Sequence, residues 1–478
     1  MNFSFSTKKV DRSPERLRLI RNQPRLCRPV LAGAVLALLS ACAAQSPPLQ
    51  QTQDFRGAVA AGDFATAVNA AAPLAGPADK PELLWTLNTG AAALHQPDPG
   101  RTIAALDAAE NLMSQVEGAN FTFDTSYRFG SYDAAMVNTY KALANLARGD
   151  RDGARVEMNR AEERLARIAQ RYTADIASGR DNIAQKQRDD ANTAQALTNA
   201  GNSSELQELQ RSLADYGAFQ PFLSPASTYL RGIYLLNSGA PGDAEQARDA
   251  FRRVQGIANN PSVVAQDLAA ATQAARGRRP APQVWVIFEN GQSPEFEQLN
   301  FTVPMPVLGA SGQVSVSPVT VSIPRLAFRP NAYQSLTVTG QGAAVQTVTV
   351  ASMRAVMASE YRARYDNLVA GAVVEALVKA VGVSAANAAS SRMGQGGALL
   401  RMAAVGAANV TTSDTRSWQV LPAEFQAARV PTPASGKVQI AAPGGSGMIV
   451  DVPPGKSAII LVKAQTPGSP LRAQVLPL

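Results

Sequence analysis

The residues with the most specific chemistry lie near the start of the chain, at Leu39-Ser40-Ala41-Cys42, closing the apolar run Val30 to Leu39. A thiol directly after two small residues, with an apolar residue three places before it, is the pattern that thioether lipidation and signal cleavage require. The bond between Ala41 and Cys42 would be cut, leaving Cys42 as the acylated first residue of the working chain. Three acyl chains on Cys42 anchor stably where a single chain is marginal. Basic residues from Lys8 to Arg28 precede the run, and about ten apolar residues fall short of the roughly 20 that cross a bilayer as a helix. Residues 1–41 therefore read as a lipoprotein signal peptide. Ala43 follows the cysteine where Asp would favour inner-membrane retention, so the expected location is the periplasmic face of the outer membrane.

Removing this segment changes the charge argument. The chain holds 45 basic and 37 acidic residues; the segment carries eight and two of them, which leaves 37 and 35. The net charge of +8 thus reports an export signal, and a nucleic-acid partner is not expected. Cys27 leaves with the signal and Cys42 is committed to lipid, so no thiol remains for a disulfide, a nucleophile or zinc. His95 is the sole histidine, which confines any Ser-His-Asp site to it. It sits in a turn-like His-Gln-Pro-Asp-Pro-Gly stretch and reads as a surface or capping residue. No metal or cofactor is expected.

Pro453-Pro454-Gly455-Lys456-Ser457 ends like a phosphate-binding loop, but the leading glycine such a loop needs is Val450 here, and two prolines remove amide donors. A β-hairpin turn is the expected structure. Tyr216 to Pro225 is an aromatic, turn-rich approach to the helix holding Tyr229 and Tyr234. Arg416 and Trp418, beside Asp414, could form a cation–π contact, but packing or capping is the expectation for both stretches. A pair of carboxylates could cleave glycans, yet no pair stands out among 35 acids.

The elements behind these residues form an α+β chain. After a polar tether over residues 42–53, helical spacing runs over 54–279 and contains a recurrent unit. A glycine at a helix end is followed after five, nine and twelve residues by small or apolar ones: Gly62, Ala67, Ala71, Leu74; Gly100, Ala105, Ala109, Leu112; Gly149, Ala154, Met158, Ala161; Gly242, Ala247, Phe251, Val254. Asp63, Asp150 and Asp243 follow three of these glycines and suit the N-cap. These are the offsets of tetratricopeptide-like helix hairpins, with a charged interruption from Glu162 to Leu213 that suits an exposed helical pair. From residue 280 to 478 β-branched alternation predicts a β-sandwich-like domain. A helical hairpin is inserted at about 351–405. Glu375, Lys379 and Arg401 argue against that hairpin crossing a membrane, since a charge at the bilayer centre costs roughly 2.5–3.5 kcal/mol.

Four blocks, at residues 131–163, 219–254, 284–306 and 413–430, resemble those of a family of proteobacterial lipoproteins with a tetratricopeptide-like N-terminal half. The third carries a Phe-Glu-x-Gly turn, and the fourth carries the Asp414-Thr415-Arg416-Ser417-Trp418 signature. Gln220 stands where the family more often has Asn. The resemblance implies an envelope lipoprotein and supplies no catalytic residues.

The expected function is a non-enzymatic scaffold, binding protein partners of the cell envelope and held to the membrane by its lipid. The alternatives are a carboxylate-dependent cell-wall enzyme or enzyme activator, and a secretion or assembly component that self-associates through residues 368–410.

Overall fold

A computed structural model describes residues 49–478 except 78, 119–126, 128, 217–221, 259–260, 309–313, 392–413 and 446. The chain opens with helices: α1 (Leu49–Ala60), α2 (Phe64–Ala71), α3 (Leu83–Ala93), α4 (Pro99–Gly118), α5 (Ser131–Ala147) and the 39-residue α6 (Arg151–Asp189). Then come α7 (Ala191–Gly201), α8 (Ser204–Ser212), α9 (Pro225–Ser238), α10 (Asp243–Ile257) and α11 (Ser262–Ala274). The tether is shorter than expected, because α1 begins at Leu49, just past Pro47 and Pro48, with Gln50 donating to Asp54 one turn on. The interruption is not a helical pair but the second half of α6 followed by two short helices. Asp63 caps α2 through the Thr66 amide, and Asp150 caps α6 through Gly153. Such caps contribute about 0.5–2 kcal/mol. Asp243 does not cap: Gly242 takes that place, and the Asp243 carboxylate pairs with Arg155 and Ser238.

Strands follow: β1 (Gln283–Asn290), β2 (Glu295–Leu308), β3 (Val314–Ala327), β4 (Thr337–Thr339), β5 (Val345–Gln346) and β6 (Val348–Ser352). The described part of the insertion is one long helix, α12 (Met353–Ser391). The second arm expected for it lies outside the described residues. β7 (Glu424–Pro431), β8 (Lys437–Ala441), β9 (Gly447–Asp451), β10 (Ala458–Ala464) and β11 (Arg472–Pro477) complete the chain.

A five-stranded sheet in the order β11-β10-β1-β7-β6 faces a four-stranded sheet, β5-β4-β8-β9. Alternation on the central strands separates two cores. Val284, Val286 and Phe288 of β1, with Ile460 and Val462 of β10, pack toward the second sheet. Trp285, Ile287, Ile459 and Leu461 pack toward the helices, in a core that reaches from Phe55 to Leu476. Helices and strands thus share one interior, and Pro47–Leu478 form one compact unit.

β2 and β3 form a separate 14-residue ribbon. Its four prolines all fall on alternate pairs: Gln298 with Pro324, Pro304 with Pro318, Pro306 with Val316. A proline cannot donate to a rung, so these are the pairs whose amides point outward. Each proline therefore blocks the edge without breaking the ladder. The outward carbonyls are also taken: Asn199 of α7 donates to Pro304 and Tyr361 of α12 to Pro324.

Candidate functional site

Ala41 and Cys42 lie outside the described residues. His95, expected at the surface, is instead buried, its side chain 3 % exposed. The turn between α3 and α4 lays its ring 4.7 Å from that of Phe64 and brings Nε2 within 3.1 Å of Glu289 Oε2. Glu289, on the helix-facing side of β1, is completely buried. It accepts from Tyr140 of α5 at 2.5 Å and lies 3.2 Å from Lys463 Nζ, which also donates to the Val420 carbonyl at 2.8 Å. Burial alone would raise the Glu289 pKa, but the Lys463 ammonium, the His95 contact and the Tyr140 hydroxyl outweigh it and hold it at about 2. Burial pushes both His95 and Lys463 down. At neutral pH Glu289 is therefore a carboxylate and His95 a neutral imidazole. Every member of the cluster is sealed from solvent, so it holds the helices to the sheet and offers no reacting atom to a substrate.

A second acid pins the other end of β1. Asp267 of α11 accepts from Tyr229 (2.7 Å), Trp285 Nε1 (3.0 Å) and Arg429 (2.9 Å), and the Arg429 guanidinium lies over the Trp285 ring. Burial raises its pKa against the pull of Arg429.

A third acidic cluster crowns the N-terminus of α5. Asp133 Oδ2 accepts from the Tyr127 hydroxyl and the Gly130 amide, each at 2.8 Å. Glu360 of α12 accepts from the Ser131 amide (3.1 Å) and hydroxyl (2.6 Å). Burial, against the two hydrogen bonds and reinforced by the Glu360 charge, lifts the Asp133 pKa to about 7. A glycan-cleaving pair would flank an open cleft. These carboxylates are instead 0 and 3 % exposed and are occupied with backbone amides.

Two concave surfaces lie elsewhere: a hollow between α1 and α2, and a cavity of about 340 Å³ lined by α6, α7, α8 and α12. Ile183, Leu197, Leu206 and Val369 give it an apolar wall, with Arg180 and Asp366 paired at 3.6 Å on the rim. Asn367 donates to the Ile176 carbonyl at 2.9 Å and holds α12 against α6. Apolar walls with a few polar groups are the make-up of a binding pocket.

The remaining motifs are structural. Residues 453–457 are not a hairpin turn: β9 and β10 belong to different sheets, and the turn is the corner between them. Ser457 Oγ there accepts from the Gln283 amide. Trp418 is buried edge-on to Tyr140 at 5.9 Å, and Asp414 accepts from the Arg416 amide and guanidinium. β7 starts only at Glu424, so Ser417 to Ala423 are not strand. Of the approach to α9, 217–221 lie outside the described residues, and Phe222 is held at φ 62° with its ring 5.6 Å from Tyr172. Glu375 and Lys379 pair on the surface of α12 at 2.7 Å. No helix among the described residues is long and apolar enough to cross a membrane, and no group of three or more His, Cys, Asp or Glu among them could hold a metal ion.

The buried acids 133, 267, 289 and 360 were not singled out by sequence reasoning. The one signal for Glu289 and Lys463 is a charge at the same end of two otherwise apolar strands, VWVIFEN and AIILVKA. Comparison of the chain with protein-family models, curated proteins and solved structures finds no match.

Proposed function

We propose that this chain is a non-enzymatic lipoprotein of the outer membrane, tethered through Cys42 on the periplasmic side, and a scaffold for protein partners of the cell envelope. The observation that carries the reading is Leu39-Ser40-Ala41-Cys42 at the end of a short apolar run behind a basic segment. The groove between α6 and α12 is the surface we assign to the partner. We read the helical half as tetratricopeptide-like. In support, Gly149 and Gly239 end α5 and α9 in the left-handed conformation, and Ala154 and Ala247 are fully buried early in the helices that follow. We read the two facing sheets as a β-sandwich, supported by their common apolar layer.

Two measurements test this. Membrane fractionation of the native chain and Cys42→Ser, with mass spectrometry of the N-terminal peptide, is expected to show an acylated Cys42 and release of the serine variant. An unmodified Cys42 on a soluble chain would overturn the anchor. A photo-crosslinking residue at Val369 is expected to capture a partner in intact cells. Labelling no stronger than at an exposed site far from the groove would overturn that assignment.

A further inference from the structure

Many arginines and lysines on this protein's surface face an acid: Arg155 pairs with Asp243, Arg253 with Glu162, Arg325 with Glu297, Lys437 with Asp451. Arg276, Arg278, Arg279 and Lys456 are exposed and form no ion pair among the described residues. The three arginines lie in the connection from α11 to β1, and Lys456 lies in the corner between β9 and β10. Hydrogen bonds bring the two stretches to one end of the five-stranded sheet. The Thr432 amide donates to the Pro282 carbonyl, the Thr432 hydroxyl to the Lys456 carbonyl, and the Gln283 amide to Ser457 Oγ. Val284 is the register partner of Ala458, which fixes the same alignment. Two acids on the adjoining elements are engaged elsewhere: Asp451 is held by Lys437, and Asp267 points inward to Arg429.

The shape of the patch decides between ligands. A discrete phosphate is bound by converging backbone amides, but Pro280, Pro282, Pro453 and Pro454 remove donors from both stretches. Single-stranded nucleic acid would call for aromatic platforms among the cations, and neither 275–282 nor 453–457 holds an aromatic residue. What remains is four long cationic side chains on two exposed loops, which respond to the charge density of a surface. We propose that this end of the sheet docks on an anionic phospholipid surface. Docking of this kind is separate from the lipid anchor and does not require it.

The test uses the full chain carrying Cys42→Ser, so that no acyl chain contributes, against the same chain with Arg276→Ala, Arg278→Ala, Arg279→Ala and Lys456→Ala. Each cation near an anionic membrane strengthens partitioning about fivefold. The parent is therefore expected to bind phosphatidylcholine vesicles containing phosphatidylglycerol far more tightly than the fourfold variant, with the difference shrinking in high salt. The basic residues from Lys8 to Arg28 are common to both chains, so hydrogen exchange reads the patch in place. Amides of Arg276 to Arg279 and Gly455 to Ser457 are expected to gain protection on vesicle addition. If the fourfold variant does not fold, Lys456→Glu in the exposed turn serves in its place. Equal binding by parent and variant without local protection, equal protection by pure phosphatidylcholine, or the same protection from inorganic phosphate alone would each overturn the proposal.

Discussion

Glu289 and Lys463 are register partners on the adjacent parallel strands β1 and β10, and both side chains leave the sheet toward the helices, fully buried. Removing one partner of such a pair strands the other charge in the interior, at a cost of about 3–5 kcal/mol. Lys463→Met is therefore expected to lower the thermal midpoint sharply. Glu289→Gln with Lys463→Met is expected to lower it less than Lys463→Met alone, because a neutral amide can still accept from Tyr140. A double-mutant cycle completed with Glu289→Gln alone checks this on unfolding midpoints; a double loss equal to the sum of the two single losses would mean that the pairing contributes nothing.

His95 and Glu289 set the response to acid. Burial depresses the His95 pKa below its ordinary 6.5, so the unfolded chain binds more protons and stability falls as pH drops below about 6.5. Glu289, depressed from 4.5 to about 2, adds stability above 4.5 that is lost as pH falls toward 2. His95→Phe, which keeps a ring beside Phe64, is expected to remove the first step and leave the second. Thermal midpoints measured from pH 7.5 to 2 check the order.

Asp133 works in the opposite direction. Its pKa is raised from 3.8 to about 7, so the folded chain binds the extra proton and stability declines as pH rises between those values. Asp133→Asn can still accept from Tyr127 and Gly130 while carrying no charge. It is expected to raise the midpoint more at pH 8 than at pH 5. A uniform shift across the range would mean that packing, and not ionisation, dominates there.

The α+β division was legible because helical periodicity stops near Ala274 and β-branched alternation starts at Gln283. Local pattern carries that much, since it depends on which face of each element is apolar. The pins were not legible, because each is made by residues far apart in the chain. His95 meets Glu289, and Ser131 meets Glu360, only after the helices fold onto the sheet and α12. The polar setting of His95 suggested a turn, which it is, but not that the turn folds inward on Phe64. The corner at Gly455 differs from the expected hairpin for a related reason: flanking strands predict a hairpin locally, and only the register of β10 on β1 shows the chain changing sheets. The proposal for Cys42 stands apart, since it rests on a short linear pattern and not on a fold.

Close helix approach can be tested with two glycines from one hairpin. A Cβ on Gly232 in α9 would lie 2.7 Å from Cε1 of Phe251, a ring with no solvent exposure. Overpacking a full interior costs about 1–3 kcal/mol, more than the ~1 kcal/mol that alanine gains over glycine within a helix. Gly256 in α10 has nothing within 4 Å of the added carbon, so only the propensity gain remains. Gly232→Ala is expected to lower the thermal midpoint and Gly256→Ala to raise it slightly. Phe251→Leu with Gly232→Ala is expected to fall by less than the sum of the two single losses, since a smaller side chain gives the new methyl room. If the losses simply add, the ring is not what Gly232 accommodates.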